Sequence, residues 1–447
     1  MQVRINKGLN IPIAGEPEQR IYPGPRINQV ALLGQDYLGL KAKLLVEEGE
    51  QVKLGQALFT DRRYPEILYT SPASGKVSKI LRGHKRVLQT VTIDVEGDDQ
   101  VTFEKYSREE LTSLSKAQII DNLRKSGLWT AFRTRPYSKI PTVDTFPSAI
   151  FISLMDSNPL SADPSSIYQL HEKEFNDGLL LLTSLTDGLV HICHATDFKH
   201  EIASNPQIQI NEFSGPHPAG LIGTHIHFVE PVIDKTVWYI NYQDVIAIGK
   251  LFLTGELWVE RIISLAGSMV KKPRLISTRL GASTEDIVRD NINENFCRVV
   301  SGSILSGHQA AGWARFLGRY HTQVCVLPEG RERQLLGWIK PTGEKHSAIK
   351  VLFSSIFARK NLQLNTLQNG SPRAIVPIGN YESVMPLDIL ATPLLKSIIV
   401  GDTDMAQKLG CLELDEEDLA LCSYVCSGKT DFGRALRDCL TEIERNG

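Results

Sequence analysis

The sequence predicts an α/β multidomain fold: a β-rich amino-terminal module, a Rossmann-like domain, a second small β unit and a mainly helical carboxy-terminal region. Three observations predict it. Short β-branched runs with glycine at the turns fill the first hundred positions. From about residue 105, short apolar runs alternate with stretches of helical periodicity. The last hundred residues are patterned as helices and joined by a Pro- and Gly-rich stretch from Pro372 to Pro386. At 447 residues the chain exceeds one ordinary core and divides as 1–100, 101–255, 256–330 and 331–447.

Composition removes several function classes. Lys and Arg total 49 against 51 Asp and Glu, a net charge of −2, so the basic footprint of a nucleic-acid binder is missing. No run approaches the ~18 apolar residues that a bilayer-spanning helix needs. Met1 to Gly8 does not read as the apolar core of a signal peptide, so the chain is expected in the cytoplasm or on the cytoplasmic side of a larger assembly. Seven cysteines without any C-x2-C pair are expected as thiols.

In the first module, Lys43 to Val46 leads through the turn Glu47-Glu48-Gly49-Glu50 into Gln51 to Phe59. Ile67 to Ile80 forms a second half, and the alternating Val87 to Val95 closes it. The pattern V-x-E-G-x-x-V-x-x-G-Q-x-L followed by S-P-x-S-G-x-V resembles the barrel-sandwich hybrid of biotinyl and lipoyl carriers. Carriers modify a lysine at the hairpin tip, but this tip reads Asp61-Arg62-Arg63-Tyr64-Pro65. A guanidinium cannot form that amide, so the module is expected to be a scaffold.

Glu109 to Arg124 fits a helix, Ala149 to Met155 a doubly covered strand, and Ile167 to Leu185 a crossover helix. Gly188 to His194 and Ile208 to Phe213 read as further strands, and Val237 to Leu257 as one long helix. This alternation gives the Rossmann-like domain. Arg261 to Gly267 and Arg298 to Ser303 then resemble strands of the soluble-ligand-binding β-grasp fold.

Three segments carry candidate chemistry. Trp129 to Pro141 mixes Trp129, Phe132 and Tyr137 with Arg133, Arg135 and Lys139. Flat aromatic faces beside donors suit a quinone or flavin ring; the alternative is a linker whose cations meet a neighbouring protein or anionic headgroups. Gly215 to His227 holds Gly215, His217, Gly220, Gly223, His225 and His227, yet it is neither G-x-G-x-x-G nor a P-loop. The residues after Gly223 alternate like a strand, which puts His225 and His227 on one face without a helix N-terminus for a phosphate. His191, Cys193 and His194 would complete a metal site only if the fold gathered them, and no metal is assigned.

Cys411, Cys422, Cys426 and Cys439 are spaced too widely for a typical cluster and fall on the apolar faces of two helices, one opening at Asp415 and one at Phe432. They are expected to pack as small hydrophobes. Asp415-Glu416-Glu417-Asp418 sits where a helix dipole favours carboxylates. No catalytic group is assigned by spacing.

Several motifs coincide with one family: Lys7 to Gly15, Ser126 to Pro136, Gly215 to Gly220, Asn241 to Ala247, Leu253 to Leu257, Pro377 to Glu382 and Cys411 to Cys422. Together, essentially end to end, they resemble the A subunits of the bacterial Na+-translocating NADH:quinone oxidoreductases (Na+-NQR). The resemblance implies a peripheral subunit on the cytoplasmic side of the bacterial inner membrane. Its partners would be the five other subunits, chiefly the membrane-embedded B subunit and the C subunit, and ubiquinone would be the substrate of the complex. The complex couples NADH oxidation by ubiquinone to Na+ export, and this subunit would contribute to quinone binding, quinone reduction and assembly. The isolated chain is not expected to catalyse the reaction.

The chain is also similar to the flavin- and NADH-binding subunit of proton-pumping complex I and to the related Rnf subunit. It departs from both at Gly215-Pro216-His217-Pro218 and in its stretched cysteine spacing, so no tightly bound cofactor is expected. The quinone-site or interface candidates are Trp129, Phe132, Arg133, Arg135, Tyr137 and Lys139, with the histidines of the 215–227 loop behind them. Two rival readings stay open: a purely structural brace, and a flavin- or NADH-binding redox subunit.

Overall fold

Alternating apolar residues close the first module around its own core. In the computed structural model, which describes residues 1–232, 234–292, 296–331, 346 and 361–446, Gln29–Leu33, Leu88–Val95, Gly75–Arg82 and Gln51–Val52 form one antiparallel sheet. Ala42–Leu44, Ala57–Asp61 and Leu68–Thr70 form a second. Val30, Leu58, Val77, Val91 and Ile93 are wholly buried between them, each contributing about 1.5–3 kcal/mol of apolar burial. At the hairpin tip Arg63 pairs with Asp61 at 2.9 Å and donates to the Gly39 carbonyl at 2.7 Å.

The Rossmann-like sheet runs in the order Gln2–Arg4, Ile208–Ser214, Leu189–Ala195, Ala149–Leu154, Val237–Asn241, Arg133–Arg135. All neighbours pair parallel except the last, which is antiparallel. Glu172–Thr183 and Tyr242–Thr254 cover one face. They cross closely: a Cβ on Gly178 would lie 2.1 Å from the Val245 carbonyl oxygen. Ile222–Val229 packs on the opposite face with Phe151, Phe213 and Val237.

Four elements differ from the sequence expectation. Val237 to Leu257 is a strand, Val237–Asn241, followed by a helix, Tyr242–Thr254. The β-branched and aromatic Val-Trp-Tyr-Ile run is buried in the sheet, and the Asn241 side chain caps the helix by accepting from Gln243 N at 2.9 Å. The segment after Gly223 is the helix Ile222–Val229, not a strand. Its histidine alternation mimicked a period of two, but Gly223, Thr224, His225 and Ile226 are buried in succession. The expected crossover helix breaks at His171 into Pro164–Leu170 and Glu172–Thr183. The helix expected from Glu109 starts at Lys116, where Ser115 and Gln118 form a capping box.

The third sheet has the order His308–Gln309, Cys297–Ser301, Gln323–Pro328, Glu260–Ala266, Arg274–Arg279, Glu18–Pro23. Glu18–Pro23 thus leaves its sequence neighbours to pair parallel with Arg274–Arg279. At the carboxy-terminal end, Asn380–Val384, Ala391–Val400, Thr403–Lys408, Ala420–Val425 and Phe432–Asn446 are helical. The helical expectation for 332–345, 347–360 and 447 lies outside the described residues. Cys411, Cys422, Cys426 and Cys439 are buried in the core of these helices, at 0–4% exposure. Asp415 opens a 3-10 turn, Glu416–Leu419, before the short helix begins.

Candidate functional site

The edge strand Arg133–Arg135 follows a buried turn, Leu128–Ala131, itself launched by the left-handed Gly127 that ends helix Lys116–Ser126. Strand alternation then sorts the candidate residues. Trp129 and Phe132 meet Trp238 with ring centroids 5.4–5.5 Å apart, all three buried. Trp129 Nε1 donates to the Pro141 carbonyl at 2.9 Å. Arg133 and Arg135 project beside Tyr239, their guanidinium carbons 5.4 and 5.0 Å from its ring centre. Arg133 also lies 4.8 Å from the Tyr320 ring centre.

The cations of this strand meet the acidic turn of the carboxy-terminal region. Asp415 Oδ2 pairs with Arg133 and Arg135, each at 3.0 Å, and Asp415 Oδ1 with Arg437 at 2.6 Å. Arg135, wholly buried, also reaches Asp418 at 3.3 Å and Glu417 at 3.8 Å. It donates to Ser138 Oγ and, at 3.1 Å, to the Tyr239 hydroxyl. Arg437 binds Glu416 and donates to the Tyr137 carbonyl at 2.8 Å. Lys139 pairs with Glu444 on the last helix.

Burial raises the Asp415 carboxyl, but the guanidiniums of Arg135 and Arg133 outweigh it and hold it well below the usual carboxylate range. Burial dominates at Glu417 and Asp418, which rise to about 7 and about 6. Asp418 Oδ1 and Arg135 Nε have no hydrogen-bond partner among the described residues. Such a cluster fixes geometry more than it stabilises, because desolvation offsets most of the attraction.

The 215–227 segment reaches the same place from the other side. Gly215 holds φ +129°, and a Cβ there would lie 2.2 Å from the Ile5 carbonyl oxygen. Gly220 N donates to Ser157 Oγ at 2.8 Å, leaving that hydroxyl to bond His217 Nδ1 at 3.1 Å. His217 and His225 are buried, and burial drops each to about 4. His225 Nε2 donates to the Ala219 carbonyl at 2.9 Å.

His227 points elsewhere. Its Nε2 accepts from Asp388 N at 3.1 Å, which leaves Nδ1–H to donate to Glu413 at 2.7 Å. On a helix the two histidines do not share a face, contrary to the strand reading. Gly223 begins the same helix against the acidic turn.

The fold therefore gathers Arg133, Arg135, Tyr137, Lys139 and Gly223 around 415–418 and the last helix. Trp129 and Phe132 lie in the adjoining core, and His217 and His225 lie under the loop. His191 bonds Glu230 at 3.0 Å, while Cys193 is buried among apolar side chains. Among the described residues, no three His, Cys, Asp or Glu side chains are placed to hold a metal ion. Sequence reasoning missed Tyr239, Tyr320 and Arg437 as members of the cluster. It read the acidic run only as a helix opening, since nothing in spacing links residues 282 positions apart.

Fold and site define a multidomain α/β protein: a Rossmann-like sheet locked at its edge to a helical unit, with a barrel-sandwich module beside it. Comparison with known proteins narrows the class. Residues 3–96 match the family described as the NqrA N-terminal barrel-sandwich hybrid domain, 114–257 the NqrA second alpha/beta domain, and 262–312 the NQRA C-terminal domain. The A subunit of the Na(+)-translocating NADH-quinone reductase of Yersinia pseudotuberculosis serotype I is 55% identical over 446 residues, covering 100% of both chains. That of Neisseria meningitidis serogroup B is 54% identical over 448 residues, again covering 100% of both. A solved NAD+-reducing [NiFe]-hydrogenase chain aligns over 52% of each chain at 12% identity and a TM-score of 0.34, too low to carry an argument. The chain belongs to the NqrA family, the A subunits of the Na+-translocating NADH-quinone reductases, and is a component of that oxidoreductase. Among the described residues, no helix is long and apolar enough to cross a membrane.

Proposed function

We propose that the chain is the peripheral, cytoplasmic-side component of the reductase at the bacterial inner membrane. In this reading it contributes to ubiquinone binding and reduction and to assembly with the B and C subunits. The observation that carries the reading is 55% identity over the full length to the A subunit of an NADH-quinone reductase. The chain supplies donors and apolar surface, and holds no tightly bound cofactor of its own. The four units of the chain are 1–100, 101–255, 256–330 and 331–447.

Within that reading the edge strand is the quinone-facing element. Arg133 keeps 19% of its side chain exposed and Lys139 27%, and both stand beside the half-buried Tyr137. Fixed cationic and hydroxyl donors lower the cost of negative charge developing on a quinone oxygen. Trp129 and Phe132 pack the core behind the strand, Arg135 fixes it to the acidic turn beside Arg133, and of the 215–227 loop Gly223 abuts Asp418 while His227 bonds Glu413. Photo-crosslinking of a quinone analogue to the intact complex tests this. The labelled peptide is expected within residues 129–141; a label confined to the other polypeptides overturns the quinone assignment.

One observation favours a second reading. Arg135 and Arg437 each pair with two or more carboxylates of the acidic turn, as a purely structural brace would require. In that case Arg133→Gln lowers the yield of assembled complex and leaves the quinone KM of what assembles unchanged.

A further inference from the structure

A cleft of about 390 Å³ opens where the barrel-sandwich module meets the third sheet. Strand Glu18–Pro23 ends at Gly24, whose backbone lies so close to Ser277 that a Cβ would stand 2.0 Å from its carbonyl oxygen. The chain then turns through Pro25, Arg26 and Ile27 into the module. Asp286 pins the end of that turn by accepting from Asn28 N at 2.8 Å and Asn28 Nδ2 at 3.1 Å. The cleft is thus an open depression between the strand end and the module. Pro25, Ile27, Val95 and Val259 give it apolar walls; Arg26, Arg279 and Glu260 give it charge.

Charge is the unusual part. The most buried guanidiniums each reach a carboxylate: Arg133, Arg135, Arg261, Arg319 and Arg437 all pair with one, while the half-buried Arg274, which has none within 4.0 Å among the described residues, lies over the Tyr22 ring instead. Arg279 is half-buried, yet among the described residues neither it nor Arg26 has a carboxylate within 4.0 Å or a side-chain hydrogen bond. Glu260 stands opposite Arg279 in the strand register, but its carboxylate accepts from Ser277 Oγ at 2.5 Å instead. Burial lowers the Arg279 guanidinium from its usual range with no acid near enough to oppose it. A partly desolvated cation without a counter-charge is unfavourable unless an anion arrives from outside.

We infer that this cleft binds a phosphate-bearing small molecule, its phosphate held by Arg279 and Arg26 and its apolar body lying on Ile27, Val95 and Val259. Arginine suits the part because its planar fork matches a phosphate in two parallel bonds. The phosphate source would be either a soluble phosphate ester or an anionic lipid headgroup.

The test uses the purified full-length chain and three probes: inorganic phosphate, phenyl phosphate, and phosphatidylcholine vesicles with and without phosphatidylglycerol. Calorimetric titration is expected to give saturable phenyl phosphate binding, tighter than inorganic phosphate because the ring covers the apolar wall. Arg279→Gln should weaken it by about tenfold or more, the loss of one charge-assisted bond. Arg279→Lys should recover part of the affinity, since it keeps the charge without the fork. Glu260→Gln should tighten binding a few-fold, a gain that misfolding cannot produce. Co-sedimentation with the anionic vesicles alone, lost in Arg279→Gln, would assign the phosphate to a lipid headgroup. Absence of saturable binding to all three probes, or affinities that survive Arg279→Gln, overturns the proposal.

Discussion

Asp418 and Gly223 touch where no side chain would fit: a Cβ at position 223 would stand 2.3 Å from Asp418 Oδ1. The first turn of the helix on the Rossmann-like sheet and the acidic turn of the carboxy-terminal unit are therefore sterically matched surfaces. Gly223→Ala is expected to push the acidic turn outward and destabilise the protein by about 1–3 kcal/mol. Thermal unfolding measures this. Asp418→Ala in the same chain should relieve part of the loss, so the two changes should combine less than additively.

Arg135 is the member of the ion cluster with no access to water. Replacing it with Met keeps much of the volume but leaves Asp415 and Asp418 short of a partner. A cost of roughly 3–5 kcal/mol is expected in urea unfolding. Arg133→Met should cost less, because Arg133 is 19% exposed and shares Asp415 with two other guanidiniums. Equal losses at the two positions would contradict the burial ranking.

His225 gives a pH signature. Its folded value is depressed from 6.5 to about 4 by burial, so the neutral form is favoured by the fold. Its contribution is complete above pH 6.5 and is lost as pH falls through that window toward 4. Glu417 and Asp418, raised by burial, act in the opposite direction. A comparison with His225→Gln cancels them. Glutamine can still donate to the Ala219 carbonyl but does not titrate. The variant should lose less stability between pH 6.5 and 4, by up to about 3 kcal/mol. Parallel stability curves for the two proteins would rule this out.

Thiol labelling separates the cysteines. Cys193, Cys325, Cys411, Cys422, Cys426 and Cys439 are buried, and Cys297 alone is partly exposed. A thiol reagent applied to the native chain should modify Cys297 first, and Cys297→Ser should abolish that early phase. All seven should react once the chain is unfolded in denaturant.

Local chemistry made much of the fold legible and left the contacts of the site obscure. Alternation in Leu88–Val95, the apolar run of Ala149–Leu154 and the capping signals around Ser115 and Asn241 are all written in short windows. Where two windows overlapped, the reading slipped. His225 and His227 alternate as a strand would, and Val237–Asn241 runs into a helix with Asn241 as the sole boundary mark. The candidate segments 129–139 and 215–227 stood out by composition. Their convergence on Asp415 and Asp418 did not, because tertiary pairing of Arg135 with Asp418, 283 residues away, leaves no trace in spacing.

The opening residues complete sheets that belong to later parts of the chain. Gln2 lies 210 residues from Glu212, its partner on the Rossmann-like edge, and Glu18–Pro23 closes the third sheet beside Arg274–Arg279. On the ribosome, residues 29–95 can begin to collapse as they emerge, since the strand ladders of their two sheets are internal; the backbone bonds of Gln29 and Ala31 to Ser283 and Gly281 follow later. The leading residues must instead wait, unpaired: Gln2–Arg4 until its partners Glu212 to Ser214 have been made, and Glu18–Pro23 until Arg274–Arg279 has been made, the second past the midpoint of the 447-residue chain. The first-made segment is thus seated only after sequence some two hundred residues downstream has appeared, which leaves that leader as the stretch of nascent chain longest open to mispairing.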